Sequence, residues 1–137
     1  MNEFTIKSVF AGVCTVFGYF FGAWDVGLQV LIAFIVLDYL TGVTAAIINK
    51  TLSSQIGFRG LFKKIGILIM VTMGVMIDRL TGAEGIVRTA VIYFYIANEG
   101  ISILENWGKA GLPLPKKMLD VLEQIKAKSE EDIEHEL

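Results

Sequence analysis

Charged side chains divide this chain into four long apolar stretches, and their spacing limits the fold more than any motif does. Residues 8–24 form a run of 17 uncharged residues between Lys7 and Asp25. At about 1.5 Å per residue, a helix of that length just crosses a hydrocarbon core. A second stretch, 26–48, is broken only by Asp38 near its centre. A third, 61–77, carries Lys63 and Lys64 at one end and meets Asp78 and Arg79 at the other. The fourth, 89–104, contains Glu99. With 54% hydrophobic and 19% charged residues and a mean hydropathy of +0.62, a soluble globule would have little with which to cover its surface. The spacing therefore predicts an all-α membrane protein.

The expected organisation is a transmembrane helical domain over residues 1–107, with spans near 8–24, 26–48, 61–77 and 89–104, and a cytoplasmic tail over 108–137. Three spans, with the first or fourth segment peripheral, is the alternative arrangement. The first stretch resembles a signal peptide in length, but only Lys7 precedes it and no small-residue cleavage site follows Gly22-Ala23-Trp24, so it is expected to stay. Four spans with both termini in the cytoplasm place ten of the twelve Lys and Arg residues inside, among them the basic loop residues Lys50, Arg59, Lys63 and Lys64. Arg79 and Arg88 remain outside. Polar, glycine-containing segments at 53–60 and 81–85 read as connections. Gly108, Gly111, Pro113 and Pro115 end the fourth helix.

In the tail, Met118, Val121, Leu122 and Ile125 fall on one stripe of a short amphipathic helix. That helix suits either a membrane surface or self-association; a solubilising terminus is the plainer reading. Residues 129–137 are mostly acidic and read as a disordered end.

Intramembrane carboxylates are the candidate functional residues. A charge at mid-bilayer costs about 2.5–3.5 kcal/mol on insertion scales, so it faces protein or water and not lipid. Asp38 is the costliest, and it serves either a polar path or helix-to-helix glue. Asn98, Glu99, Ser102 and Glu105 share or adjoin one helical face and form a polar stripe. Asp78, beside Arg79 at a helix end, reads as half of an interfacial pair. Gly18 and Gly22 form a G-x-x-x-G, and Gly42 and Ala46 repeat its spacing, which permits close helix packing. The segment Asp38–Gly42 echoes Asp78–Gly82, but the flanks do not match and the repeat reads as chance.

Catalytic and metal signals are missing. A single cysteine, Cys14, and a single histidine, His135, supply no disulfide, triad or multi-ligand metal site, and no nucleotide-binding glycine motif occurs. Neither enzyme activity nor a cofactor is expected. A net charge of −2 gives no general attraction to nucleic acid.

Several segments nonetheless form a pattern. LDYLTG at 37–42, Ser53-Ser54, Gly57-Phe58-Arg59-Gly60, Lys63-Lys64, the run from Phe94 to Asn106 and Gly111-Leu112-Pro113 resemble the toxin-secretion/phage-lysis holin family. The resemblance covers about residues 30–126. It implies a multi-pass protein of the host bacterial cytoplasmic membrane that contacts lipid, becomes a homo-oligomer in its active state, and opens lesions that release an endolysin for host cell lysis; some relatives assist toxin release. It implies no cofactor and no catalysed reaction. A small ion or solute channel or transporter, and an antiholin-like regulatory membrane protein, are the alternatives. After Met1 the next methionine is Met70, so an inhibitor made from a nearby second start is not expected.

Overall fold

The computed structural model describes residues 1–137 and contains five helices: α1 (Glu3–Phe21), α2 (Val26–Ile48), α3 (Ser54–Thr81), α4 (Ile86–Lys109) and α5 (Lys116–Glu136). The first three are long and apolar enough to cross a membrane. The second lies where its apolar run predicts. The third is longer than expected, because Ser53 caps the backbone N–H of Ile56 and starts the helix inside the segment read as a loop. Only residues 49–53 remain to connect α2 with α3.

Helix α4 packs against α2, α3 and α5, and it carries half of the buried positions. The apolar core is built from Leu28 and Leu31 of α2, Ile67 and Val71 of α3, and Val87, Val91, Ile92 and Ile96 of α4. Helix α1 has no buried residue; it touches α3, and Tyr19 lies under the Arg79 guanidinium at 4.4 Å from its ring centroid.

One end of the core is closed by polar side chains that supply what the local sequence lacks. Helix α4 begins at Gly85, which has no side chain to cap it. Asp78, from the end of α3, accepts the backbone N–H groups of Val87 and Arg88 at 2.9 and 2.8 Å instead. Its partners are thus main-chain donors of α4; the expected interfacial pairing with Arg79 is not formed. Arg88 donates Nε to the Phe21 carbonyl at 2.7 Å, Nη2 to the Ala23 carbonyl at 2.8 Å and Nη1 to Asp25 at 2.7 Å. Asp25 in turn caps α2 through Leu28 N–H.

This clamp also gives Gly22 a task within the protomer. The residue lies past the end of α1 with φ of 79°, and a β-carbon there would sit 2.7 Å from Arg88 Nε. Glycine is required at position 22 for the chain turn and the guanidinium, while Gly18 faces open space within the protomer.

The C-terminal region departs most from expectation. Helix α5 runs through the acidic end to Glu136 and lies antiparallel along α4. Its inward stripe is rotated from the predicted one. Leu122, Ile125, Ser129 and Ile133 turn toward the bundle, while Met118 and Val121 are exposed. Gly100 explains the seat: a β-carbon there would meet Leu122 Cδ1 at 2.8 Å and Phe34 Cε2 at 3.1 Å. The helix carries Leu137 back to the level of Val87 and Ile77, at the opposite end of α4 from Lys109.

The Arg88 hydrogen bond holds the Asp25 carboxyl below the usual carboxylate range, against partial desolvation that pushes it up. The stability from this contact is full above the ordinary value of 3.8 and is lost as pH falls below it through the lowered folded-state value. Thermal unfolding of the detergent-solubilised protein should show its midpoint dropping over that acid range. Asp25→Asn should flatten the drop; an unchanged pH profile would place the acid sensitivity on other carboxylates.

Candidate functional site

Beyond the apolar core, toward the Lys109 end of α4, three helices meet at a buried ion cluster. Asp38 lies near the middle of α2, twelve residues after Val26. About two helical turns past Leu31 of the core, its carboxyl points between α3 and α4. Lys64 Nζ of α3 donates both to Asp38 Oδ2 and to Glu99 Oε2 of α4. The other Asp38 oxygen accepts Asn106 Nδ2 at 2.9 Å, and the same amide reaches the Asp38 carbonyl and Thr41 Oγ1 at 3.1 Å each. Side-chain exposures of 14, 10 and 6% for Lys64, Asp38 and Glu99 leave all three largely covered. Every buried side-chain nitrogen and oxygen in the protein has a hydrogen-bond partner.

The cluster closes the floor of a cavity of about 1130 Å³ between α2, α3 and α4. Ser102, Tyr39, Gly42 and Ala46 line its walls, and Arg59, Lys63 and Lys109 stand around it. Helices α2 and α3 touch sparsely, and the space between them is this cavity. Gly42 faces Asn106 of α4, where a β-carbon would make an ordinary contact at 3.4 Å from Nδ2.

The sequence-derived residues therefore separate into groups. Asp38 and Glu99 come together, with Ser102 beside them. Asn98 borders the same cavity but accepts Lys126 Nζ of α5 at 3.3 Å, and Glu105 is exposed on the far side of the helix. Lys50, Arg59 and Lys63 are exposed, as loop residues would be. Arg59, Lys63 and Lys64 all lie within α3, and Lys64 alone of the four turns inward, as the counter-ion of both acids. Asn106 was also missed, although it follows Glu99 by seven residues and so shares its helical face.

Chemically, the cluster holds a net charge of −1 when all three groups are ionised, in a low-dielectric setting where separating its members is costly. It joins α2, α3 and α4. No group of three His, Cys, Asp or Glu side chains converges to hold a metal ion. Lys64→Met leaves two buried carboxylates without their counter-charge and should cost about 3–5 kcal/mol. Unfolding in mixed detergent and dodecyl sulfate micelles measures this; a loss below about 1 kcal/mol, as for a surface pair, would remove the cluster from the fold's main supports.

Residues 15–127 match the bacteriophage holin family. The chain is 47% identical over 124 residues to an uncharacterized 14.9 kDa protein in the nagH 3′ region of Clostridium perfringens, covering 90% of this chain and 94% of that one. It is 43% identical over 132 residues to an uncharacterized protein of Listeria monocytogenes, covering 96% and 94%. It is 28% identical over 127 residues to the uncharacterized protein YtkC of Bacillus subtilis, covering 93% and 95%. No solved structure matches the chain. With apolar helices of spanning length and a family match over most of its residues, this membrane protein belongs to the bacteriophage holin family.

Proposed function

We propose that the protein accumulates in the cytoplasmic membrane of a bacterial host, oligomerises there and opens lesions that release an endolysin for host cell lysis. Family membership supports the class. The structural observation that carries the reading is the Asp38–Lys64–Glu99 cluster inside an otherwise apolar bundle. A protomer that satisfies its own buried charges can remain dispersed in lipid without exposing them. Association between helices in lipid depends on polar and small-residue contacts, because apolar surface gains nothing by leaving a hydrocarbon solvent. Crowded protomers can therefore trade contacts within one bundle for contacts between bundles, and polar faces released in that exchange can border water.

The arrangement favoured is four spans, α1 to α4. Helix α4 contributes to one core with α2 and α3, which puts its 24 residues at their depth, and its internal Arg88 and Glu99 are both paired. Arg79 and Arg88 lie at one end of the bundle, whereas Lys50, Arg59, Lys63 and Lys109 lie at the other. The excess of cations supports a cytoplasmic second end and N-terminus. The C-terminal tail starts from that same side. In this reading the protein catalyses no reaction, needs no cofactor, and meets the endolysin only as a released protein.

Inducible expression in bacteria, followed with a membrane-potential dye and a cytoplasmic reporter enzyme, tests the proposal. The expected result is a delayed, abrupt collapse of potential with escape of the reporter. Asp38→Asn and Glu99→Gln should each shift the time of collapse. Collapse without reporter escape would indicate a small channel instead. Continued growth at normal potential, with the protein confirmed in the membrane, would contradict autonomous lesion formation and favour a regulatory role.

A further inference from the structure

Helix α5 poses a physical problem that the four spans do not. Gly100 of α4 is packed between Phe34, well inside apolar α2, and Leu122 of α5. The start of α5 therefore sits at the depth of a membrane-spanning helix. From there it climbs along α4 until Ile133 reaches the apolar core and Leu137 reaches the level of Val87. The seat is specific. Ser129 is 3% exposed and donates to the Ile125 carbonyl, and Lys126 donates to Asn98 while lying over the Phe94 ring.

The flanks and outer side of the same segment are charged. Glu123, Lys128, Glu130, Glu131 and Asp132 are all exposed, and none of them has a lysine or arginine partner; Glu131 reaches only His135. Hydrocarbon does not accept such a face, and charges at this depth are found against protein or water. A neighbouring copy's apolar exterior would satisfy them no better than lipid. Water at bilayer depth is the remaining environment, and the proposed lesion is what provides it.

We infer that α5, seated on α4, lines the water-filled opening of the assembled lesion with its acidic face. The inference rests on the lesion-forming reading and assigns a role to a segment that sequence alone marks as a solubilising tail. A dispersed protomer offers α5 no water at that depth, so the helix stays in the cytoplasm until protomers gather. Seating on α4 is then coupled to assembly. The lining carries an acidic excess and favours cations over anions.

The full-length protein reconstituted in planar bilayers provides the test, using two sets of variants. Gly100→Cys with Leu122→Cys, in a Cys14→Ser background, locks α5 onto α4 by a disulfide. Locked protein should conduct as the unlocked, reduced protein does. Separately, Glu123→Gln, Glu130→Gln, Glu131→Gln and Asp132→Asn combined should move the reversal potential in a potassium chloride gradient toward zero from a cation-selective value. These four positions are exposed, so the fold does not depend on them. Conductance abolished by the lock and restored by reduction would overturn the inference, because α5 would then have to leave α4 in the open state. An unchanged reversal potential would overturn it equally. Absence of any conductance from the unaltered protein would instead contradict the lesion-forming reading beneath it.

Discussion

The bundle depends on one ammonium group shared by two carboxylates between three apolar helices. Lys64 ties α3 to α2 through Asp38 and to α4 through Glu99, while Asn106 occupies the remaining Asp38 oxygen. Apolar contact cannot select among helices in a hydrocarbon solvent, so this polar contact fixes which faces of α2, α3 and α4 meet. The same set of charges carries the largest penalty if it comes apart in lipid. The proposed lesion-forming role needs both properties. The protein must hold together while dispersed, and it must contain an internal polar surface that becomes useful once water enters.

The structure is layered along the bundle. Asp78, Arg88 and Asp25 close one end by capping helices and gathering loose carbonyls. An apolar core follows, then the ion cluster, then the cavity with its surrounding cations. Gly74 contributes to the first layer, since a β-carbon there would sit 3.2 Å from the Arg88 Cα and force α3 away from the start of α4. Helix α1 joins these layers only at its end, through Phe17 and Phe21, and its earlier residues Phe4, Phe10 and Val13 are exposed to lipid or another copy.

Much of the fold was legible because hydrocarbon length and charge position are local properties. The extent of α2, the presence of three further helices before the prolines, and the special status of Asp38 and Glu99 follow from them. What escaped was decided by pairing across the chain. Lys63 and Lys64 look alike in sequence, yet a helix turns adjacent residues about 100° apart, so one faces outward and the other reaches both acids. Two lone carboxylates in apolar runs required a counter-charge, and that requirement was the available signal for Lys64. Asp78 was harder, because its task arises only where Gly85 leaves α4 uncapped. The echo of Asp38–Gly42 in Asp78–Gly82 has no structural counterpart, since one acid binds an ammonium and the other binds main-chain amides. The seat of α5 was hidden for another reason. Its charge suggests a solvated terminus, and only the side-chain-free surface at Gly100 admits Leu122.

A charge exchange between α3 and α4 tests the central claim most directly. Lys64→Glu alone sets three acids together and should abolish cooperative thermal unfolding of the detergent-solubilised protein. Adding Glu99→Lys restores one ammonium between two carboxylates with the helices reversed in sign, and the account predicts that cooperative unfolding returns. A double variant no more stable than Lys64→Glu, or a Lys64→Glu protein that unfolds like the original, would contradict the claim that this cluster holds the three helices together.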